Sequence, residues 1–251
     1  MGDLVRVERQ GGIATITLDS QHNRNALSRQ LLHELNGALE ESETARVIVL
    51  RHEGPTFCSG ADLKERSDPN TPPDGRPMVD ALERLMDSPC PTIAAVQGSV
   101  RAGGVGLVAA CDLSVVAPSV TFALTEVRIG VAAAVISVPI LRRVTPAKIA
   151  VPMLTGEPFD TEFARDIGLV THVSDDVQGT VATLCEAMMA GAPRAIAATK
   201  RLLRVVPTLD RNTAFAEMRA LSDELFRGAD AAEGMAAFRE KRTPVWPTLS
   251  T

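Results

Sequence analysis

No two of the four cysteines, Cys58, Cys90, Cys111 and Cys185, form a C-x-x-C pair. This argues against both a zinc ribbon and a disulfide framework, and fits a reducing compartment. There is no long run of lysine or arginine, and the formal charge is −5, so a nucleic-acid or anionic-membrane partner has no global electrostatic support. No apolar stretch approaches the roughly eighteen residues of a membrane span. The N-terminus, Met1-Gly2-Asp3-Leu4, lacks a basic and apolar leader, so no export signal is expected and a cytoplasmic location is. His22, His33, His52 and His172 are scattered without ligand spacing, which makes them surface or structural residues and leaves no metal site to expect.

What is present is an ordinary globular composition: 251 residues, 45% apolar and 23% charged, with no break that would separate two domains of usual size. Leu4 to Glu8 and Ile13 to Leu18 alternate apolar with polar around Gly11-Gly12, the pattern of a hairpin. Leu31, Leu32, Leu35 and Leu39 fall at helical spacing between Ser28 and Glu41, with Ser28 as N-cap, and Arg46 to Leu50 reads as a buried strand. Ser67 to Pro77 holds four prolines and no apolar periodicity, a surface loop better read as a tolerated insertion than as a lid. A helix near Met78 to Met86, a strand Thr92 to Val96, a glycine-rich turn and a small-residue helix to Ala110 follow. Strand and helix alternate, which indicates an α/β fold. Beyond about Ala147 helices dominate, over Asp176 to Ala190, Pro193 to Arg204, Asp210 to Phe226 and Asp230 to Lys241. Several carry apolar residues on more than one face, as helices that pack on another subunit do. The expected organisation is a core over residues 1–190 and a helical C-terminal region over 191–251.

Three segments can carry chemistry. In Phe57-Cys58-Ser59-Gly60-Ala61-Asp62-Leu63, small residues let backbone N–H groups approach a ligand, although an ordinary strand-to-helix turn N-capped by Asp62 has the same look. In Ala102-Gly103-Gly104-Val105-Gly106-Leu107, a free N–H at a helix start, best placed at Gly103, suits an oxygen that becomes negative during reaction; close helix packing through glycine is the plainer alternative. The match of Gly104-x-Gly106-x-x-Ala109 to a dinucleotide fingerprint, with Glu126 as the ribose acid, fails because it does not follow the first strand directly. In Phe122 to Gly130, Glu126 stands in an apolar run where desolvation raises a carboxyl toward proton-transfer range, unless it pairs with Arg128. Arg101, just before the glycine-rich turn, reads as a solvated loop arginine rather than an anion ligand.

These segments, in this order and spacing and preceded by Asn23-Arg24-Asn25-Ala26-Leu27, resemble the enoyl-CoA hydratase/isomerase (crotonase) family over nearly the whole chain. The resemblance implies a spiral of ββα units with a helical C-terminal trimerisation region, and assembly as a homotrimer or hexamer. It implies an acyl-CoA thioester as substrate, with no cofactor beyond the CoA it carries. The oxyanion hole would be formed by the amides of Ser59 and Gly103, with Glu126 as acid/base. Asn25, Ala26, Leu27, Gly60, Ala61, Asp62, Leu63 and Gly104 would line the substrate groove. Phe238 and Lys241, in Phe238-Arg239-Glu240-Lys241-Arg242, would reach a neighbouring subunit's CoA.

Two departures narrow the expected activity. Hydratases of the family usually hold a reactive water between two glutamates, and Gly106 stands where the first would be. The proline usual after Glu126 is also missing from Gly130-Val131-Ala132-Ala133-Ala134-Val135. One glutamate can serve as base and then acid in hydration, and one also suffices to move a proton between two carbons in Δ3-Δ2 isomerisation. The Gly-Val-Gly-Leu and Thr-Glu-Val-Arg segments are most similar to hydratase-type members associated with branched or methylglutaconyl-type substrates. Hydration of a 2-enoyl-CoA is therefore the expected activity, isomerisation the alternative, and a non-catalytic acyl-CoA binder the reading from another class.

Overall fold

The computed structural model describes residues 3–70 and 72–246. The expected loop and C-terminal region each extend to residues outside that range, position 71 in one and 247–251 in the other.

The opening hairpin pairs β1 (Val5–Gln10) with β2 (Ile13–Leu18) in antiparallel register. Gly11 and Gly12 both take positive φ, 57° and 89°, as a tight two-residue hairpin turn requires. α1 (Arg29–Glu41) follows, its first turn closed by Ser28, whose Oγ accepts from the Leu31 N–H at 3.2 Å. Its leucine stripe, Leu31, Leu32, Leu35 and Leu39, is buried on the core.

From here the chain makes three similar circuits. β3 (Val47–His52) lies in a first sheet, β4 (Thr56–Cys58) in a second, and the helices α2 (Leu63–Arg66) and α3 (Arg76–Asp87) return the chain. β5 (Thr92–Val96), β6 (Ser99–Arg101) and α4 (Gly103–Ala110) repeat the path, as do β7 (Leu113–Val116), β8 (Thr121–Ala123) and α5 (Ala134–Leu141). The first sheet has the order β1-β2-β3-β5-β7-β10, with β10 spanning His172–Val173 and every pair after β1 parallel. The second runs β4-β6-β8-β9, with β9 spanning Phe159–Asp160; only β8–β9 is antiparallel. This is the expected spiral of ββα turns. The second sheet's strands are two or three residues long, too short for apolar periodicity to reveal.

Side chains from both sheets and the return helices fill the core, with Ile16, Leu50, Phe57, Leu107 and Phe122 fully enclosed. The remaining helices are α6 (Pro146–Thr155), α7 (Thr161–Asp166), α8 (Val177–Met189), α9 (Pro193–Val205), α10 (Arg211–Phe226) and α11 (Ala229–Glu240). α9 is tied to the core by a buried ammonium: Lys200 Nζ lies 2.8 Å from Asp112 Oδ2 and donates to the carbonyls of Leu85 (2.9 Å) and Cys90 (3.0 Å). α10 buries none of its residues, and Phe215 and Phe226 on it are exposed.

Candidate active site

The three segments singled out in the sequence leave the same end of three neighbouring strands. β4, β6 and β8 run parallel, and their last residues are Cys58, Arg101 and Ala123. The segments beginning at Ser59, Ala102 and Leu124 therefore emerge side by side, at the carboxyl edge where parallel sheets place ligands. Close contacts join the first two. A β-carbon on Gly60 would lie 2.9 Å from Ala102 Cβ, and one on Gly104 would lie 2.7 Å from Cys58 Cβ. The Ala102 N–H donates to Ala123 O at 2.8 Å, which couples the second segment to the third.

The backbone donors are not those expected. The Ser59 N–H donates to Arg24 O at 3.1 Å, and its hydroxyl donates to Asn23 O at 3.2 Å. Ser59 is thus engaged in holding its own loop, because Arg24 and Asn25 turn the chain back toward it through positive φ values of 59° and 54°. The next N–H, on Gly60, faces Cys58 Sγ at 3.4 Å. Among the described residues nothing accepts from Ala61 N–H, and Ala61 is exposed. The N–H of Gly103, at the first position of α4, is likewise without an acceptor, as helix-start amides are. The structure therefore presents Ala61 and Gly103 as the free pair and corrects Ser59.

The third element is an acid. Glu126 opens a 3-10 turn over Glu126–Ile129, its Oε2 is buried, and it has no hydrogen-bond partner. Burial pushes its carboxyl above the usual carboxylate range. The alternative pairing with Arg128 does not occur, since Arg128 bonds to Glu157 and to Thr155 O. A carboxyl with one buried, unpartnered oxygen and a raised pKa is the type of group that gives and takes protons in catalysis.

The position lacking a second carboxyl is also filled. A β-carbon on Gly106 would lie 2.5 Å from Ile136 Cγ2, so α4 and α5 meet there in a contact that any side chain at this position would force apart. Cys58, buried against Gly104, has its thiol pushed up to about 12 by burial, which keeps it protonated and out of nucleophilic chemistry.

The other expected ligand contacts divide into framework and surface. Asn25 is fully buried: Oδ1 accepts from Ser20 N–H at 2.7 Å, and Nδ2 donates to the Thr56 and Glu53 carbonyls at 2.8 and 3.2 Å. Its side chain braces the loop and is not offered to a ligand, which corrects that expectation. Ala26 and Leu27 are also buried, Leu27 N–H donating to Gly60 O at 2.8 Å and its Cδ1 covering the bare Cα of Gly103. Gly60 and Gly104 are buried joints between the loops. Asp62 N-caps α2 by accepting from Lys64 and Glu65 N–H and is held by Asn23 Nδ2, so the N-cap reading of that residue holds. Leu63 is exposed beside it. Arg101 is a strand residue bonded to the Val100 and Thr121 carbonyls and to Thr121 Oγ1, and not a solvated loop arginine. Phe238, 86% exposed, and Lys241, the left-handed C-cap of α11, lie on the outside of the C-terminal region.

A match to the enoyl-CoA hydratase/isomerase family model spans residues 8–248. The chain belongs to the enoyl-CoA hydratase/isomerase family. Among curated relatives of this crotonase family, it is 34% identical to the mitochondrial enoyl-CoA hydratase domain-containing protein 3 of Danio rerio, over 97% of this chain and 87% of that protein. An enoyl-CoA hydratase structure from Mycobacterium smegmatis superimposes with a TM-score of 0.90 at 29% identity, over 97% of this chain and 98% of that one. Another from Mycobacterium avium is 40% identical, with a TM-score of 0.74 over 97% and 99%. A cavity of about 590 Å³ between α9, α10 and α11 shares no residue with the three segments that carry Ala61, Gly103 and Glu126. No helix among the described residues is long and apolar enough to cross a membrane.

Proposed function

We propose that this protein hydrates a 2-enoyl-CoA thioester. The thioester oxygen accepts from the N–H groups of Ala61 and Gly103, which takes up the negative charge that develops as the double bond is attacked. Glu126 removes a proton from water as the water oxygen bonds to the β-carbon, then returns that proton to the α-carbon of the enolate, and emerges unchanged. The observation that carries this reading is the Glu126 carboxyl: its Oε2 is buried without a partner, burial raises its pKa, and its segment leaves the strand next to the one that precedes Gly103. The hydratase names of the relatives support it.

Δ3-Δ2 enoyl-CoA isomerisation is a second reading, favoured by the isoleucine that fills the space over Gly106. A single carboxyl is enough to carry one proton between two carbons. We further propose a cytoplasmic protein that assembles as a trimer or hexamer through its exposed C-terminal helices, with Phe238 and Lys241 meeting a neighbouring copy's CoA.

The test is a panel of 2-enoyl- and 3-enoyl-CoA thioesters followed by mass spectrometry, run on the parent and on Glu126→Gln. Hydration that falls by at least about 100-fold in the variant, with acyl-CoA still bound, is the expected result. Double-bond migration without gain of water would select the isomerase, and binding without any reaction would leave an acyl-CoA-binding protein.

A further inference from the structure

Among the described residues four non-glycine positions have positive φ: Arg24, Asn25, Ala102 and Lys241. Arg24 and Lys241, with ψ of 44° and 39°, sit in the left-handed helical well that L-residues visit at modest cost. Ala102 does not. Its φ of 47° and ψ of −116° match the first central position of a type II′ turn, where glycine dominates. Two glycines follow immediately, yet the strained position itself carries a methyl group.

That methyl is packed against the other free-amide loop. Gly60 has φ of 94°, and a β-carbon there would meet Ala102 Cβ at 2.9 Å, so the Ala102 methyl occupies the space in front of the bare Cα of Gly60. Each of these residues immediately precedes a free amide, Gly60 before Ala61 and Ala102 before Gly103. On its other side Ala102 is held by its N–H bond to Ala123 O, so the methyl cannot simply swing away.

We infer that Ala102 is a positioning residue whose β-carbon, wedged against Gly60, sets the separation of the Ala61 and Gly103 amides; this rests on the reading of that pair as the donors to the thioester oxygen. Two donors hold one oxygen well only within a few tenths of an ångström. Backbone strain at Ala102 persists because the methyl is needed as a spacer. A residue with a purely structural role there would be better as glycine.

The experiment compares Ala102→Gly and Ala102→Ser with the parent by thermal midpoint, by kcat and KM on a 2-enoyl-CoA, and by the absorption of a bound 3-arylpropenoyl-CoA in a Glu126→Gln background that prevents turnover. A conjugated thioester absorbs further to the red when its carbonyl oxygen is polarised. Ala102→Gly is expected to raise the midpoint by about 2–4 °C through relief of strain. It should lower kcat by about 10- to 100-fold with KM little changed, and shrink the red shift. Ala102→Ser, which keeps the β-carbon, should recover most of the lost kcat and red shift. Parental kcat and a full red shift in Ala102→Gly would overturn the inference, as would a lowered midpoint or no recovery in Ala102→Ser. A parent that shows no red shift would instead remove the amide-pair reading itself.

Discussion

The contact between Gly106 and Ile136 decides whether a second carboxyl can exist in this site, and its energetics can be worked from the distances. A β-carbon at Gly106 would lie 2.5 Å from Ile136 Cγ2 and 2.7 Å from Ile136 Cβ, against an optimum near 3.5–4.0 Å for carbon pairs. Roughly 1 Å of overlap must be relieved by moving α4 against α5. Gly106 and Ile136 are both buried, so this is overpacking of a filled core, at about 1–3 kcal/mol for Gly106→Ala. For a chain of this length the thermal midpoint falls by about 2–4 °C per kcal/mol. Ile136→Ala by itself opens a cavity and costs about 2–5 kcal/mol. In the double variant the new methyl enters the vacated volume, so the two changes should couple favourably by about 1–3 kcal/mol. Urea denaturation of the four proteins, with unchanged m-values, measures this. Additivity within about 0.5 kcal/mol, or a Gly106→Ala variant as stable as the parent, would refute the argument. The functional corollary is that Gly106→Glu places a carboxyl usefully only when Ile136 is trimmed with it.

Stability should also report on Glu126. Its carboxyl is held above the ordinary value by burial, so the folded chain binds this proton more tightly than the unfolded chain. The associated stability is complete below the unfolded value of about 4.3 and is lost as pH rises through the raised folded value. Glu126→Gln should therefore be more stable than the parent at neutral pH, with the difference closing in acid; a pH-independent difference in denaturation midpoint would contradict this. Lys200→Met should destabilise by about 3–5 kcal/mol in the same urea assay, because Asp112 and two buried carbonyls lose their cation. A loss under about 1 kcal/mol would show that the ion pair contributes little to docking α9.

The regular elements were legible where they were long. The α1 stripe, its Ser28 cap and the Gly11-Gly12 hairpin all appear as periodicity and turn chemistry foretell. The second sheet was not legible, because strands of two or three residues carry no pattern. Within the site, residue types pointed to the right loops but not to the right atoms. Ser59 and Ala61 are both small residues in one loop, and which amide stays free depends on Arg24 O, thirty-five positions earlier in the chain, reaching one of them. Asn25 resembled a ligand contact but is a brace, since its amide finds three backbone partners only after the loops have closed over it. Ala102 and Ile136 gave no signal in the sequence. An alanine's torsion and an isoleucine's contact with a glycine thirty residues away are products of packing.

By itself the amino-acid order determined the alternation of strands and helices, the three small-residue or acid-bearing segments, and the family they belong to, because those depend on local propensity and on spacing along the chain. Only the tertiary structure decided which amides are unpaired, that Glu126 Oε2 is buried without a partner, and that the space beside Gly106 is closed. Each of those is a statement about which distant groups meet, and hydrogen-bond satisfaction and close packing are settled between segments rather than within them.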